Sequence, residues 1–316
     1  MSEILLEQQP AERLQKAQQA RRQARWRNEL TGFAFVLPFL LAYAIFLIWP
    51  VILGFRMSFF NWSLAGTGTD VFMGLSNYAE ALGDANFWGA LGNTFLFTII
   101  STPILVVLSL GLALLANMAI PARWLFRLAF FAPYILPVSV VVLIWNWLYQ
   151  PGFGLLNSMI TAFGFKEVAW LSDPNVAMLS VVIVTVWWTL GFNFLLYLAG
   201  LQQIPQEIYE AASIDGANSS SKLFSITVPL LKNTTVTVII LQAIGSLQLY
   251  AQAALLTGGG PNFMTRPMLE YIYDSAFTSF RVGFASAMSY LFFIVVLVVT
   301  AIQFVVLYRR EAKGNE

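Results

Sequence analysis

Six stretches of this chain contain no Asp, Glu, Lys or Arg over a length that crosses a bilayer: Leu30–Phe55, Ala85–Ala122, Leu128–Phe165, Pro174–Gln206, Asn233–Thr265 and Val282–Tyr308. A membrane-spanning helix needs about 20 predominantly apolar residues at about 1.5 Å each, and all six windows exceed that. A large soluble core is the competing solution, but it requires helices with one wet face. Runs such as "VVLIWNWLY" and "LFFIVVLVVTAIQFVVLY" are apolar on every side. With 58% hydrophobic and 10% charged residues, the composition also departs from that of soluble domains. The expected fold class is all-α, a polytopic membrane protein with six transmembrane helices.

The chain contains neither cysteine nor histidine. Disulfide frameworks, thiolate nucleophiles, zinc motifs and histidine bases are therefore excluded. No G-x-x-x-x-G-K-[ST] phosphate loop occurs, so the sequence offers no site for hydrolysing ATP.

The distribution of basic residues sets the orientation. With the N-terminus inside, the 17 Lys and Arg leave only Arg56, Lys166, Arg266 and Arg281 on the outer side, while Arg123, Arg127, Lys222 and Lys232 join the basic termini within. Inner loops of membrane proteins carry such an excess, so both termini are expected in the cytoplasm. Residues 11–28 read as a polar, basic helix entered through Pro10, a residue suited to a first helical turn. It serves as a topology signal or as a contact for anionic headgroups or a partner. The polar opening and the apolar run after it are too long for a cleaved signal peptide, and no A-x-A site closes them. The expected organisation is a cytoplasmic basic helix over 1–30, a six-helix domain over 31–309 with an inner loop at about 205–229, and a short cytoplasmic tail at 310–316.

Spans are expected near 31–59, 93–118, 128–149, 176–201 and 235–256, with a sixth ending at "YRR". The outer loops near 61–89 and 150–175 are each long enough for a surface helix. Trp145 and Trp147 fall near the outer end of span three, where an aromatic belt belongs.

Between spans four and five the chain turns polar: "IYEAASIDGANSSSKLFSITVPLL". Pro205 opens a short helix, "QEIYEAASI", and "DG" stops it, with Gly216 able to take the positive φ of a helix C-cap. The chain resumes at "ANSSS" and re-enters the membrane near Pro229. The product is a helix–turn–helix bracket of small side chains with Glu210 as a fixed charge. It suits close docking of another protein surface, against the plainer reading of a connecting loop.

No charged residue lies within a span, so the intramembrane charges of ion-coupled carriers are missing. A neutral, hydroxyl-rich solute needs aromatic faces and uncharged hydrogen-bonding groups instead. Span four offers Thr185, Trp188, Thr189 and Phe192, the i, i+3, i+4, i+7 set of one helix face. Span five offers Gln242, Ser246 and Leu249 on one face, with Tyr250 beside it. Two readings stay open: a solute pathway, or interhelical hydrogen-bond glue with Trp188 as packing.

"EAASIDGANSSSKLFSITVP", Glu210 to Pro229, resembles the E-A-A…D-G-A…F…I-x-L-P signature of membrane permease subunits of ATP-binding-cassette (ABC) importers. "NYAEALGDANFWGALGNTFLFT", "LTGGGP" and "FASAMSYLFFIVVLVV" resemble the carbohydrate branch of that family, the maltose and glycerol-3-phosphate type. The resemblance extends from Thr31 to Tyr308. It implies the type I ABC importer permease fold, a multi-pass place in a bacterial or archaeal cytoplasmic (inner) membrane, and ATP-driven, binding-protein-dependent import of a mono- or oligosaccharide.

The resemblance further implies that Glu210, Ala211, Ala212, Asp215 and Gly216 dock in a cleft of a cytoplasmic ATPase. Its implied partners are a second permease subunit, two ATPase copies that bind ATP and Mg, an extracytoplasmic solute-binding protein, the sugar and membrane lipid, with no nucleic acid. It implies no cofactor in this chain and no enzymatic activity of its own. The wording favours a heterodimer of permeases, with a homodimer as alternative. Counted from Glu210, the polar and aromatic positions of spans four and five match the sugar-contacting places of the maltose-type permease, although the side chains mostly differ. Rival readings are a glycerol-phosphate or polyol importer, a secondary carrier that needs no ATPase, and a membrane enzyme. A phosphorylated solute calls for Arg or Lys along its path, which these spans lack.

Overall fold

The computed structural model describes residues 32–66, 71–118 and 122–312, together with Trp26. Apart from Trp26, the expected basic helix at 11–28 lies outside the described residues, as do positions 313–316 of the tail. The chain divides into two compact units, residues 1–57 and 58–316.

In the first unit, helix α1 covers Gly32–Met57. A π segment, Ala44–Ile48, interrupts it just ahead of Pro50, and the Trp49 N–H reaches back to the Ala44 carbonyl. Proline lacks an N–H and presses on the carbonyl four residues earlier; the wider turn accommodates it.

The second unit opens with a small antiparallel ribbon, β1 (Phe60–Asn61) and β2 (Val71–Phe72), in which Phe60 faces Phe72. This minor sheet is an addition to the all-helical expectation. Helix α2 (Ser76–Gly83) leads into α3 (Ala85–Asn117). The Asp84 side chain caps α3 by accepting from the Asn86 N–H at 2.9 Å, as short polar side chains do at helix starts. Gly89 and Gly92 are carried within α3 without a break, so span two begins well ahead of its expected start.

Span three is not one crossing rod. Helices α4 (Arg123–Ile135) and α5 (Val138–Leu148) meet at 102°. Pro137 excludes the helical conformation from Leu136, which takes φ −69 and ψ 138. The surface helix α6 (Leu155–Ala162) precedes α7 (Ala177–Gln202). Then come α8 (Gln206–Ile214), α9 (Ser219–Leu230) and α10 (Lys232–Leu247), with a 63° bend between the last two. The chain turns at 248–250 before α11 (Ala251–Leu256), so the expected fifth span is interrupted near its end. Helix α12 (Met268–Tyr273) runs into a π segment, and α13 (Val282–Ala312) closes the chain. Among the described residues, four helices are long and apolar enough to cross a membrane, and each bent pair counted as one span raises the number to six.

Three apolar clusters hold the second unit together. One joins Ala81, Phe87 and Leu91 to Met268, Phe284 and Met288. A second packs Phe97 and Leu105 of α3 with Val141 and Trp145 of α5 and the first half of α7. The third joins Ala113 and Ala116 to Phe194, Tyr197, Leu231 and Val238. Trp145 thus belongs to the core, 8% exposed, with its ring against Trp187 and Tyr149. It is not a belt residue; Trp147, 54% exposed, is free to be one.

Helices α4 and α7 approach closely at Gly191. A Cβ there would lie 2.6 Å from the Phe130 carbonyl oxygen and 2.8 Å from the Phe131 Cα. Small residues permit such backbone contact between membrane helices. Gly191→Val is expected to cost about 1–3 kcal/mol through overpacking, read as a lowered Tm of the detergent-solubilised protein. Gly111→Ala, where a new Cβ meets nothing within 4 Å, should leave Tm unchanged or slightly raised.

Candidate solute cavity and coupling bracket

Helical periodicity places Thr185, Trp188, Thr189 and Phe192 on one side of α7, and all four line a single cavity of about 330 Å³. Gln242 and Ser246 of α10 line it from the other side. Its wall also includes Phe97 of α3 and Tyr134 of α4, and no lining residue carries a charge. The Tyr134 and Phe192 rings stack at 5.5 Å. The Trp188 indole N–H donates to the Leu136 carbonyl at 3.1 Å, so the break between α4 and α5 gives the tryptophan its anchor.

The amide and hydroxyl groups are joined across three helices. Gln242 accepts from Asn193 Nδ2 at 2.7 Å and donates to Ser246 Oγ at 3.0 Å. Ser246 in turn pairs with Ser101 of α3 at 3.1 Å. Thr185 and Thr189 donate back to the Val181 and Thr185 carbonyls, which leaves their hydroxyl oxygens as acceptors on the wall. Gln242 and Ser246 therefore connect helices and face the cavity at once.

Leu249 and Tyr250 are placed elsewhere. Helix α10 ends at Leu247, so the helical period that put Leu249 below Ser246 does not continue. Leu249 is 1% exposed within the core beside Ala253 and Leu256. Tyr250 directs its ring to Tyr273 at 5.5 Å. The cavity takes Gln248 and Gln252 instead, two amides in apolar surroundings whose polarity was their only signal in the sequence. Tyr134 was hidden by treating span three as straight.

The bracket between α7 and α10 has the geometry its residues dictate. Pro205 precedes α8 with φ −60 and ψ 137. Gly216 has φ +81; its N–H donates to the Ser213 carbonyl, and the Ala217 N–H donates to the Ala212 carbonyl. These are the two bonds of a Schellman cap, which favours glycine in the left-handed position. Asn218 then caps α9 by accepting from the Ser221 N–H at 2.8 Å. Two side-chain contacts tie the arms together: Tyr209 with Thr227 at 3.0 Å, and Lys222 Nζ to Ser213 Oγ at 2.5 Å. Glu210, Ala211, Asp215 and Gly216 are exposed and Ala212 is half-buried, while Ile214 and Phe224 are 87% and 67% exposed.

A buried carboxylate in α12 escaped the sequence reading. Glu270 is 5% exposed, packed against Gly259, where a Cβ would come within 3.0 Å of its Oε1. Its Oε2 has no hydrogen-bond partner among the described residues. Burial, and then the Asp274 charge, push its pKa up to about 7, against the opposing pull of Arg266. The folded state therefore holds a proton that the unfolded chain has released, and stability falls as pH rises between the ordinary carboxylate range and about 7. Glu270→Gln should raise Tm at pH 8 and flatten its pH dependence in that window, as measured by thermal unfolding in detergent at several pH values.

Residues 81–313 match the family described as binding-protein-dependent transport system inner membrane component, and the chain belongs to it. The sulfoquinovosyl glycerol transport system permease protein SmoG of Agrobacterium fabrum is 34% identical over 87% of this chain and 89% of its own. The trehalose/maltose transport system permease protein MalF of Thermococcus litoralis is also 34% identical, over 88% of this chain and 94% of its own. In fold, the chain is similar to part of a bacterial ABC transporter involved in the import of the acidic polysaccharide alginate, with a TM-score of 0.78 at 21% identity, covering 90% of this chain and 96% of that one. The chain is thus a multi-pass permease subunit of an ABC transporter, a membrane component rather than an enzyme.

Proposed function

We propose that this permease imports an uncharged mono- or oligosaccharide, and that ATP hydrolysis by a separate ATPase drives it through the bracket at 206–230. One observation carries the reading: α7 and α10, the helices that supply most of the uncharged cavity's lining, are the two that the exposed bracket joins. A partner that displaces the bracket pulls on both cavity walls, which is how a rigid-body transition alternates access. Glu210 and the exposed Ile214 and Phe224 supply the charge and apolar contact for an ATPase cleft.

Two ATPase copies holding ATP and Mg, a second permease chain and an external solute-binding protein complete the machine, by analogy with the family. One relative is named for an anionic, sulfonated glycoside, and another for the neutral disaccharides trehalose and maltose. The aromatic, amide and hydroxyl lining fits the latter: aromatic faces cover sugar rings, and amides meet hydroxyls. The absence of charge in that lining disfavours a phosphorylated solute. The test is ATP hydrolysis by the assembled complex in vesicles, with its binding protein, against glucose, trehalose, maltose, maltotriose and glycerol 3-phosphate. Stimulation by a neutral sugar and not by the phosphate supports the reading; stimulation by glycerol 3-phosphate alone overturns it.

A further inference from the structure

A second cavity, of about 310 Å³, lies between α7 and α10 closer to the bracket. Its α7 wall is the first cavity's α7 wall moved along the helix: Leu196, Ala199, Gly200 and Gln203 each follow Thr185, Trp188, Thr189 and Phe192 by eleven residues. Eleven residues are three turns to within about 20°, a translation of about 16 Å along the same face. On α10, Thr237, Leu241 and Gly245 recur at four-residue steps, and Thr234 and Leu241 lie seven residues apart, so that face too runs through both cavities. Two helices thus present two stations on one track.

The stations differ in chemistry. The upper one has Trp188, Phe192, Tyr134 and Phe97, while the lower one has no aromatic residue and no charge. In place of rings it offers the amides of Gln203 and Asn233 and the hydroxyls of Thr234 and Thr237. Such groups bind solute hydroxyls without the area that a ring buries, so they hold a sugar less tightly. Passage requires binding favourable enough to enter and weak enough to leave, and a step down in affinity toward the inside provides it.

We propose that Gln203, Asn233, Thr234 and Thr237 form an exit station, which takes the hydroxyls of the same uncharged sugar after it leaves the aromatic cavity. This rests on the sugar reading above, and the test separates the two. The chain contains no cysteine, so a single cysteine placed in it is the one thiol of this subunit, and labelling is read on this subunit after separation from its partners. The variants are Thr189→Cys in the upper station, Thr237→Cys in the lower, and Ile239→Cys on the opposite side of α10. They are assembled with their partner subunits in vesicles and labelled from the bracket side with a charged maleimide. The probe is the sugar that wild-type vesicles take up fastest among trehalose, maltose and maltotriose.

The expected result is rapid labelling of Thr237→Cys but not Ile239→Cys, slowed about threefold or more by sugar at twice its dissociation constant or above. Labelling of Thr237→Cys no faster than Ile239→Cys means that the face meets lipid or the second permease, and overturns the station. Sugar protection of Thr189→Cys without protection of Thr237→Cys overturns the station and leaves the upper cavity standing. Wild-type vesicles that take up none of the three sugars overturn the sugar reading, and the station with it.

Discussion

Gly216→Pro should reduce sugar uptake and sugar-stimulated ATP hydrolysis by the assembled complex to background. Gly216 sits at φ +81 and its N–H bonds the Ser213 carbonyl. Proline fixes φ near −65° and has no N–H, so neither the turn nor its bond survives. The cost is about 3 kcal/mol or more, a factor of about a hundred in the population of the native turn. Because the Schellman cap sets where α8 stops and α9 starts, the loss misplaces Glu210 and Ile214 of α8 relative to Phe224 of α9 rather than removing any of them. Gly216→Asn, a residue that accepts the left-handed conformation, should retain most activity. Glu210→Ala leaves the cap intact and should lower coupling alone, visible as reduced uptake at unchanged Tm. If Gly216→Pro transports like the wild type, the bracket is an ordinary connection.

Gln242→Leu and Asn193→Leu both remove the 2.7 Å hydrogen bond, and Gln242→Leu also loses the bond to Ser246; at about 1 kcal/mol for each bond, Gln242→Leu should lower Tm about twice as much. Their effects on uptake should differ. Gln242 lines the cavity, whereas Asn193 is 1% exposed and does not. Losing a hydrogen bond to the solute removes about another 1–1.5 kcal/mol, so uptake by Gln242→Leu should fall about tenfold below that of Asn193→Leu. Initial uptake rates and thermal unfolding of the two variants give both quantities. Equal uptake would assign Gln242 to helix packing alone and remove it from the solute path.

The α7 face was readable because an uninterrupted helix keeps its period: Thr185, Trp188, Thr189 and Phe192 reach one cavity as their spacing requires. The same reasoning failed at Leu249 because α10 stops at Leu247, and the nearby Gly245 lies inside the last turn rather than at the cap, where Gln248 stands. Pro137 was visible, but a proline in a membrane helix is compatible with a mild kink or a full break, and the local sequence does not distinguish a 102° bend from a straight span. Glu270 was missed for a different reason. Its burial depends on Gly259 and on the Arg266 side chain folding over Phe263 and Tyr271, contacts that hydropathy does not encode. The bracket was the most legible part, since Pro205, Asp215-Gly216 and Asn218 each enforce a local conformation through their own chemistry.

The central claim, ATP-driven passage of a neutral sugar, is tested most directly by uptake of labelled maltose, maltotriose and trehalose into vesicles carrying the complete complex and its binding protein, with ATP present or absent on the ATPase side. Accumulation of at least one sugar above its external concentration, only with ATP and lost in Gly216→Pro, is the result expected. Uptake that proceeds equally without ATP, or that Gly216→Pro leaves intact, would contradict it and point to a carrier that uses no ATPase.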